Sequence, residues 1–211
     1  AHAVRRKAVP TWGVFPDKSL QGGGPLIDIG THALDITLWM MNNYEPVSVT
    51  GSVYQKLGTL PKGPEGNTFG PWDPETDEVE DSAFGMIKMK DGSSIFLESS
   101  WALNVLESKE AATTLCGTKA GATINSGMSY PDHELIYNRA HNGMPTEERE
   151  SAGGQISYFE GGSNTPRALV APQWLTAVNG PGEPLVKPGP AFTSPSIFCS
   201  ISCSSATGTH T

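Results

Sequence analysis

The sequence has neither a long apolar run nor an excess of basic charge. No stretch approaches the ~20 consecutive apolar residues of a membrane-spanning helix, and no signal peptide opens the chain as written. With 22 acidic and 14 basic residues, the formal net charge is −8. The sequence therefore lacks the basic patch that a nucleic-acid-binding protein carries. Three cysteines, an odd number, give no disulfide framework, so we expect a protein of the reducing cytoplasm.

A dinucleotide-binding fingerprint is also missing from the chain. No G-x-G-x-x-G pattern follows a strand-like segment, and the glycines at 22–24 lack its spacing and its acidic partner. We therefore assign no cofactor-binding residue to this chain. Its 211 residues are enough for one large domain with a real core, and its 24 glycines and 17 prolines predict many loops.

The most informative stretch is residues 22–41, where three glycines and Pro25 precede a nearly continuous apolar run. Proline is accepted in a first helical turn, and the run predicts one long helix buried in the core. One narrow stripe differs from the rest of the helix. Asp28, His32, Asp35 and Trp39 are spaced four, three and four residues apart, which puts them within roughly 60° on one side.

The stripe allows two interpretations. In the first, His32 and Asp35 are satisfied polar groups of the core and Asp28 lies at the start of the helix. In the second, His32 donates and accepts protons near neutral pH, and Asp28 orients it or binds a substrate hydroxyl. Asp28 and His32 at i, i+4 could share a metal ion, but a third ligand would be needed. No further cluster of ligand spacing is apparent, so we predict no metal site.

The run Gly-Gly-Gly-Pro-Leu-Ile-Asp-Ile-Gly-Thr-His-Ala-Leu-Asp-Ile-Thr-Leu-Trp at 22–39 resembles the signature of the Gfo/Idh/MocA oxidoreductases. The resemblance implies that His32 is the catalytic acid/base and that Asp28 supports it or contacts the substrate. It implies NAD or NADP as cofactor, bound mainly by an N-terminal Rossmann domain with a catalytic lysine in a Glu-Lys-Pro motif, which this sequence does not contain. Residues 1–211 would then be the C-terminal substrate-binding and oligomerisation domain, inactive by itself, forming a homodimer or homotetramer through its sheet.

Beyond the helix, the sequence predicts mostly strands. Residues 46–56 alternate between apolar and polar, and Asp91-Gly92 joins 79–90 to 93–101 as a hairpin. Further strands fit 111–116, 122–125 and 134–138, and short turns favour antiparallel pairing. The expected fold is α+β, an open, mostly antiparallel sheet with helices on one face. Residues 58–77 and 142–155 are expected to be loops, and 172–179 a short helix.

Three local predictions concern the ends of the chain. Arg5 to Lys7 form a short charge cluster, typical of a solvated strand end. Trp12, in the loop before the helix, could wall a sugar site because aromatic rings pack against C–H faces. The tail, residues 182–211, is atypical: its serines and Pro195 make a poor helix, and we hypothesise that part of it is misread relative to the functional gene product.

Two functions remain open from the sequence. The first is the C-terminal part of an NAD(P)-dependent oxidoreductase that acts on CH–OH groups of a sugar, polyol or inositol-like substrate. The second is a stand-alone, non-catalytic domain that binds a sugar or scaffolds an assembly. The intact Asp28 and His32 pair favours the first, and the missing dinucleotide fingerprint favours the second.

Overall fold

The computed structural model describes residues 1–63, 65–125, 134–151, 166–180, 182–184 and 186–207. Its elements, in chain order, are β1 (His2–Val4), α1 (Lys18–Gln21), α2 (Pro25–Asp28), α3 (Gly30–Met41), β2 (Pro46–Tyr54), β3 (Ser82–Met89), β4 (Ser94–Ser100), β5 (Lys109–Cys116), β6 (Ala120–Asn125), β7 (Glu134–His141), β8 (Met144–Ser151), α4 (Pro166–Asn179) and α5 (Pro188–Thr207).

The strands form one open sheet in the order β2-β3-β4-β1-β5-β6-β7-β8. Every neighbouring pair is antiparallel except β1 and β4, which are parallel. The short strand β1 therefore joins the two halves of the sheet. The predicted hairpin at Asp91-Gly92 is confirmed, with Ile87 paired to Ile95 across β3 and β4. The α+β class with a mostly antiparallel sheet is confirmed as well.

The main helices cover one face of this sheet, as predicted. The inner side of α3 is fully buried at Ala33, Leu34 and Leu38, and it packs in one core cluster with sheet residues such as Ile87 and Leu97. Burying each large apolar side chain of this kind stabilises the fold by roughly 1.5–3 kcal/mol. The helix α5 joins the same cluster through its apolar residues. Two helices and one sheet face thus form the core beneath the polar stripe.

The prediction of one helix buried all round from Pro25 to Met41 is wrong in two respects. The helix is divided at Ile29 into α2 and α3. Its polar stripe also faces outward: His32 and Asp35 are exposed, and Trp39 is 64% exposed. The apolar residues outnumber what the sheet can cover, because the sheet buries only the opposite side.

The prediction of a loop over 142–155 is also wrong where the structure describes it. Residues 144–151 form β8, paired with β7, and the turn between them is Asn142-Gly143 with φ of 50° and 76°. Two successive positive φ angles are those of a primed hairpin turn, and Asn-Gly is its strongest sequence signal. His141 ends β7 as an exposed residue. Residues 152–155 and His133 lie outside the described residues.

The expectation of a poor helix in the tail is contradicted by α5. Ile201 is fully buried over two adjacent strands at Gly51 and Gly85. A Cβ at Gly85 would lie 2.5 Å from Ile201 Cδ1, so the glycines form a groove for this side chain. Ser196 and Ser200 donate their hydroxyls to carbonyls one turn back, at 2.8 and 3.0 Å. Packing has overridden weak propensity. The misreading hypothesis stays a prediction, and residues 208–211 lie outside the described residues.

The helix predicted at 172–179 is confirmed in a longer form, α4. Its apolar side chains Trp174, Leu175 and Val178 are each more than half exposed, so they do not pack on the core as their pattern suggested. The 58–77 loop is present as predicted. Trp72 anchors it, because its indole nitrogen donates a hydrogen bond to the Gly58 carbonyl at 2.8 Å.

Candidate functional site

The junction between α2 and α3 sets the positions of Asp28 and His32. Ser99 of β4 donates its hydroxyl to the Pro25 carbonyl at 2.7 Å. A Cβ at Gly30 would lie 3.0 Å from that same hydroxyl oxygen, so α3 can begin this close to the sheet only with a residue that has almost no side chain. Asp28 ends α2, and His32 follows within the first turn of α3. The two side chains are therefore fixed by backbone that is itself packed on β4.

Asp28 is partly buried and is held through one of its oxygens. The Trp101 indole nitrogen donates to Asp28 Oδ2 at 2.9 Å, and Arg5 Nη1 lies 4.0 Å from the same oxygen. The Asp28 side chain is 22% exposed. Within the described ranges, no hydrogen bond reaches its other oxygen, Oδ1. That oxygen is available to accept a hydrogen bond from a bound hydroxyl.

Arg5 is not the solvated strand end that the sequence suggested. Its side chain is only 14% exposed, and its guanidinium forms an ion pair with Glu110, whose side chain is 12% exposed. The short strand β1 lies between β4 and β5, so the residue after it reaches Glu110 on β5 and Asp28 on α2 together. Arg6, by contrast, is exposed as predicted. The charge cluster therefore divides: Arg5 is largely buried, Arg6 is solvated, and the partly buried Lys7 donates its ammonium to the Glu65 carbonyl at 2.8 Å.

His32 is exposed, and no hydrogen bond or ion pair joins its imidazole to any part of the chain that the structure describes. This excludes the interpretation of His32 as a satisfied core group. Asp35 is exposed as well, so it is not a polar group of the core either. An exposed imidazole one turn from a held carboxylate is accessible to an incoming molecule.

Trp12 belongs to an aromatic cluster that extends toward Asp28. It is 52% exposed and contacts Phe15 and Phe69 edge-on, with ring centroids 5.5 and 5.0 Å away. Phe15 contacts the Trp101 ring at 6.2 Å, and Trp101 binds Asp28. In the part of the chain that the structure covers, no hydrogen bond joins Trp12 to Asp28. The structure thus connects Trp12 to the carboxylate through Phe15 and Trp101.

The 58–77 loop holds the segment that carries Trp12. The Asn67 side chain bonds both the backbone N–H and the carbonyl of Val9, at 2.8 and 2.9 Å. Thr11 donates its hydroxyl to the Phe69 carbonyl at 2.9 Å. The sequence predicted the loop but not the hydrogen bonds between Asn67 and Val9. A single side-chain amide that bonds to a distant backbone leaves no periodic pattern in the sequence.

Three residues of the site were missed: Arg5, Glu110 and Trp101. For Trp101 a signal was present. Alternation along β4 puts Ile95, Leu97 and Ser99 on the core face, and continuing it puts Trp101 there too. A tryptophan buried at 1% exposure needs a partner for its N–H, and the nearest polar stripe contains Asp28.

Comparison with known proteins bears on this geometry. A family model described as the GFO/IDH/MocA C-terminal domain matches residues 1–123 of the 211. The chain belongs to this family. All of Arg5, Asp28, His32, Trp101 and Glu110 lie within the matched residues.

Individual relatives of this GFO/IDH/MocA chain include D-glucoside 3-dehydrogenase of Escherichia coli (strain K12). It is 46% identical over 133 residues, which are 63% of this chain and 37% of the relative. The aldose-aldose oxidoreductase of Caulobacter crescentus, solved with glycerol, has a TM-score of 0.68 at 18% identity, over 100% of this chain and 55% of that one. Levoglucosan dehydrogenase with NADH and L-sorbose has a TM-score of 0.69 at 18% identity, over 100% and 56%. The chain thus spans about a third to a half of these relatives.

The residues described in this GFO/IDH/MocA chain do not fit the phosphates of a nicotinamide dinucleotide. The glycine run at 22–24 leaves no room for a phosphate at Gly24, since a Cβ there would lie 1.9 Å from the Glu80 carbonyl oxygen. Leu26 N–H is directed to the Glu80 carboxylate at 3.3 Å, not toward an open cradle. The described residues also contain no group of three or more His, Cys, Asp or Glu side chains suited to a metal ion. Among them, no helix is long and apolar enough to cross a membrane.

Proposed function

We propose that this chain is the substrate-binding part of a nicotinamide-dependent dehydrogenase that acts on a CH–OH group of a sugar, polyol or inositol-like compound. Its family membership supports this, as do relatives whose names describe oxidation of glucosides, aldoses and levoglucosan. One observation carries the proposal. Asp28 is held through Oδ2 and leaves Oδ1 open, and His32, one turn away, is exposed and has no internal partner in the described structure.

In this proposal His32 takes the proton of the reacting hydroxyl. An exposed imidazole without an internal partner in the described structure can accept that proton and pass it to water. Asp28 accepts a hydrogen bond from the same or a neighbouring hydroxyl through Oδ1. Trp12 offers an exposed aromatic ring on which a sugar's C–H groups can pack.

The cofactor, NAD or NADP, would be held outside this chain. It would accept hydride from the substrate carbon. His32 and Asp28 would instead act on the substrate's hydroxyl groups, and Trp12 would pack against its C–H groups. Because the chain spans 37% of its glucoside-dehydrogenase relative, we assign cofactor binding to a dinucleotide-binding domain of a longer polypeptide. Ile27 beside the polar stripe and Trp39 at its end, exposed at 40% and 64%, supply apolar surface for such a domain to cover. The chain alone would then not turn over.

We further propose that the chain forms a homodimer or homotetramer through the sheet face that the helices leave bare. Phe96 is 64% exposed on that face, and Tyr54 and Phe84 contact each other there at 6.1 Å between ring centroids. Apolar surface of this kind on a sheet is typical of subunit interfaces.

None of the three cysteines forms a disulfide, which supports the expectation of a reducing cytoplasm.

The test joins this chain to a dinucleotide-binding domain and assays oxidation of a sugar and polyol panel. Replacing His32 with alanine should lower kcat by ~10²–10⁴-fold, because a general base is lost. His141→Ala, at the exposed end of β7, is the matched control and should leave kcat unchanged. Unaffected turnover in His32→Ala would contradict the assignment. Tight sugar binding by the isolated chain, with no turnover in the joined protein, would instead support the non-catalytic alternative.

A further inference from the structure

The Asp28 carboxylate is approached by two side chains from distant parts of the chain. Trp101 comes from the end of β4, is 1% exposed, and donates its indole N–H to Oδ2 at 2.9 Å. Arg5 comes from the end of β1 and places Nη1 4.0 Å from the same oxygen. Both act on one oxygen. A planar carboxylate fixed at one oxygen, on a side chain that is 22% exposed, has a restricted direction for the other.

Arg5 is itself fixed. Glu110 pairs with its guanidinium, and both side chains are more than four-fifths buried. Arg5 Nε is fully buried and has no partner within the described residues. Such an arrangement is poor for stability, because burying an ion pair costs solvation and an unpaired donor adds to that cost. Buried ionic groups of this kind are kept in some proteins for the geometry that they specify.

We propose that Trp101 and Arg5 are positioning residues that lock the rotamer of Asp28, with Glu110 holding the guanidinium in place. Their effect is to keep Oδ1 turned to a substrate hydroxyl beside His32. The substrate part of this statement rests on the proposed function. The locked carboxylate does not, because it depends only on contacts within the chain.

The first experiment measures the χ1 rotamer of Asp28 from three-bond NMR couplings in the 211-residue chain. Trp101→Phe keeps a ring in the core and removes the indole N–H. Since a hydrogen bond to a charged group favours its geometry by about ten-fold or more, the ratio of major to minor rotamer should fall by about that factor. Trp72→Phe is the matched control: it removes an indole bond of similar length, 2.8 Å to the Gly58 carbonyl, outside the site. It should leave the Asp28 rotamer unchanged.

A second variant tests Arg5 and guards against a Trp101→Phe protein that does not fold. Arg5→Lys keeps the charge but cannot reach Glu110 and Asp28 together, because an ammonium group lacks the planar fork. The Asp28 rotamer ratio should fall several-fold in a folded protein. Arg139→Lys, in an exposed ion pair with Glu148, is the control. A single, unchanged Asp28 rotamer in both folded site variants would overturn the proposal.

A readout on the joined dehydrogenase separates positioning from general destabilisation. Trp101→Phe should lower kcat/KM in the wild-type background and have little further effect when Asp28 is already alanine, because coupled residues are non-additive. Equal losses in both backgrounds would show a purely structural role and overturn the proposal. If the rotamer shifts as expected but no sugar or polyol binds or reacts, the proposed function fails while the locked carboxylate stands.

Discussion

Replacing Asp81 with asparagine should destabilise the protein, although the two side chains are nearly the same size. Asp81 is 2% exposed, and its Oδ2 accepts the backbone N–H groups of Lys56, Leu57 and Gly58 at 2.5, 2.6 and 3.0 Å. Its Oδ1 accepts the Ser82 hydroxyl at 2.9 Å. One carboxylate therefore anchors the chain where it enters the 58–77 loop, which in turn holds the segment bearing Trp12.

The size of the effect follows from the number of bonds to the charged oxygen. A hydrogen bond to a charged group contributes about 1.5–3 kcal/mol and a neutral one about 0.5–1.5 kcal/mol, so three bonds lose roughly 3–4.5 kcal/mol together. The neutral amide is less costly to bury, which offsets part of this loss. We expect a net decrease of about 1.5–3 kcal/mol in the free energy of unfolding, or about 3–12 °C in Tm for a chain of this length.

Asp77, four residues earlier, should respond in the opposite direction. It is 8% exposed, burial raises the pKa of its carboxyl, and the nearby Asp81 charge raises that pKa further. The folded state thus favours the protonated form, and stability is lost as pH rises from the unfolded value of about 3.9 through the folded pKa. Asp77→Asn removes this loss and keeps an acceptor for the Val79 N–H. It should stabilise the protein at pH 7 and flatten its pH dependence above pH 4.

Urea unfolding at pH 4, 5.5 and 7, followed by circular dichroism, checks both variants. At pH 7 the midpoint should fall for Asp81→Asn and rise for Asp77→Asn, with an unchanged denaturant slope. The rise for Asp77→Asn should shrink toward pH 4. A lower midpoint for Asp77→Asn together with an unchanged midpoint for Asp81→Asn would refute the reasoning. The carboxylate at 77 would then stabilise the fold, and the one at 81 would not.

Two further predictions concern the segments around the site. Gly24→Ala should lower the free energy of unfolding by about 1–3 kcal/mol, because the new Cβ would lie 1.9 Å from the Glu80 carbonyl oxygen. At Gly92 a Cβ meets open space, so Gly92→Ala should cost only about 1 kcal/mol through its positive φ, and thermal unfolding compares the two variants. Asn67→Ala should cost about 1–3 kcal/mol by leaving the Val9 N–H and carbonyl unpaired, and an unchanged Tm would contradict this role for the loop.

Most strands could be predicted because local signals agree with the fold. Alternation and Asp91-Gly92 identified β3 and β4, and Asn142-Gly143 carries the same kind of signal for β7 and β8. The polar composition of 144–151 obscured that second hairpin. Its strands are paired through charged cross-strand neighbours such as Arg139 and Glu148, so neither face shows an apolar period.

The tail could not be predicted from propensity. Helix α5 is built from serine, proline and β-branched residues, and its stability comes from tertiary contacts instead. Ile201 fits over Gly51 and Gly85, which lie 150 and 116 residues earlier in the sequence. Ser205 adds bonds to both the N–H and the carbonyl of Val53 on the edge strand β2. Such contacts satisfy an exposed strand edge, and no window of the tail sequence contains that information.

The site was predictable only for residues that share a local pattern. Asp28 and His32 lie one helical turn apart, so spacing revealed them, whereas Arg5 and Trp101 reach Asp28 across 23 and 73 residues. The stripe itself was identified correctly but assigned to the interior. Apolar neighbours such as Ile27 suggested burial on every side, yet the sheet of this chain covers only the inner face. A helix that is apolar beyond what its own domain buries is expected where a second surface packs on it. The over-wide apolar pattern and the exposed, unpaired His32 therefore have one common explanation under the proposed function: a catalytic face that another domain completes.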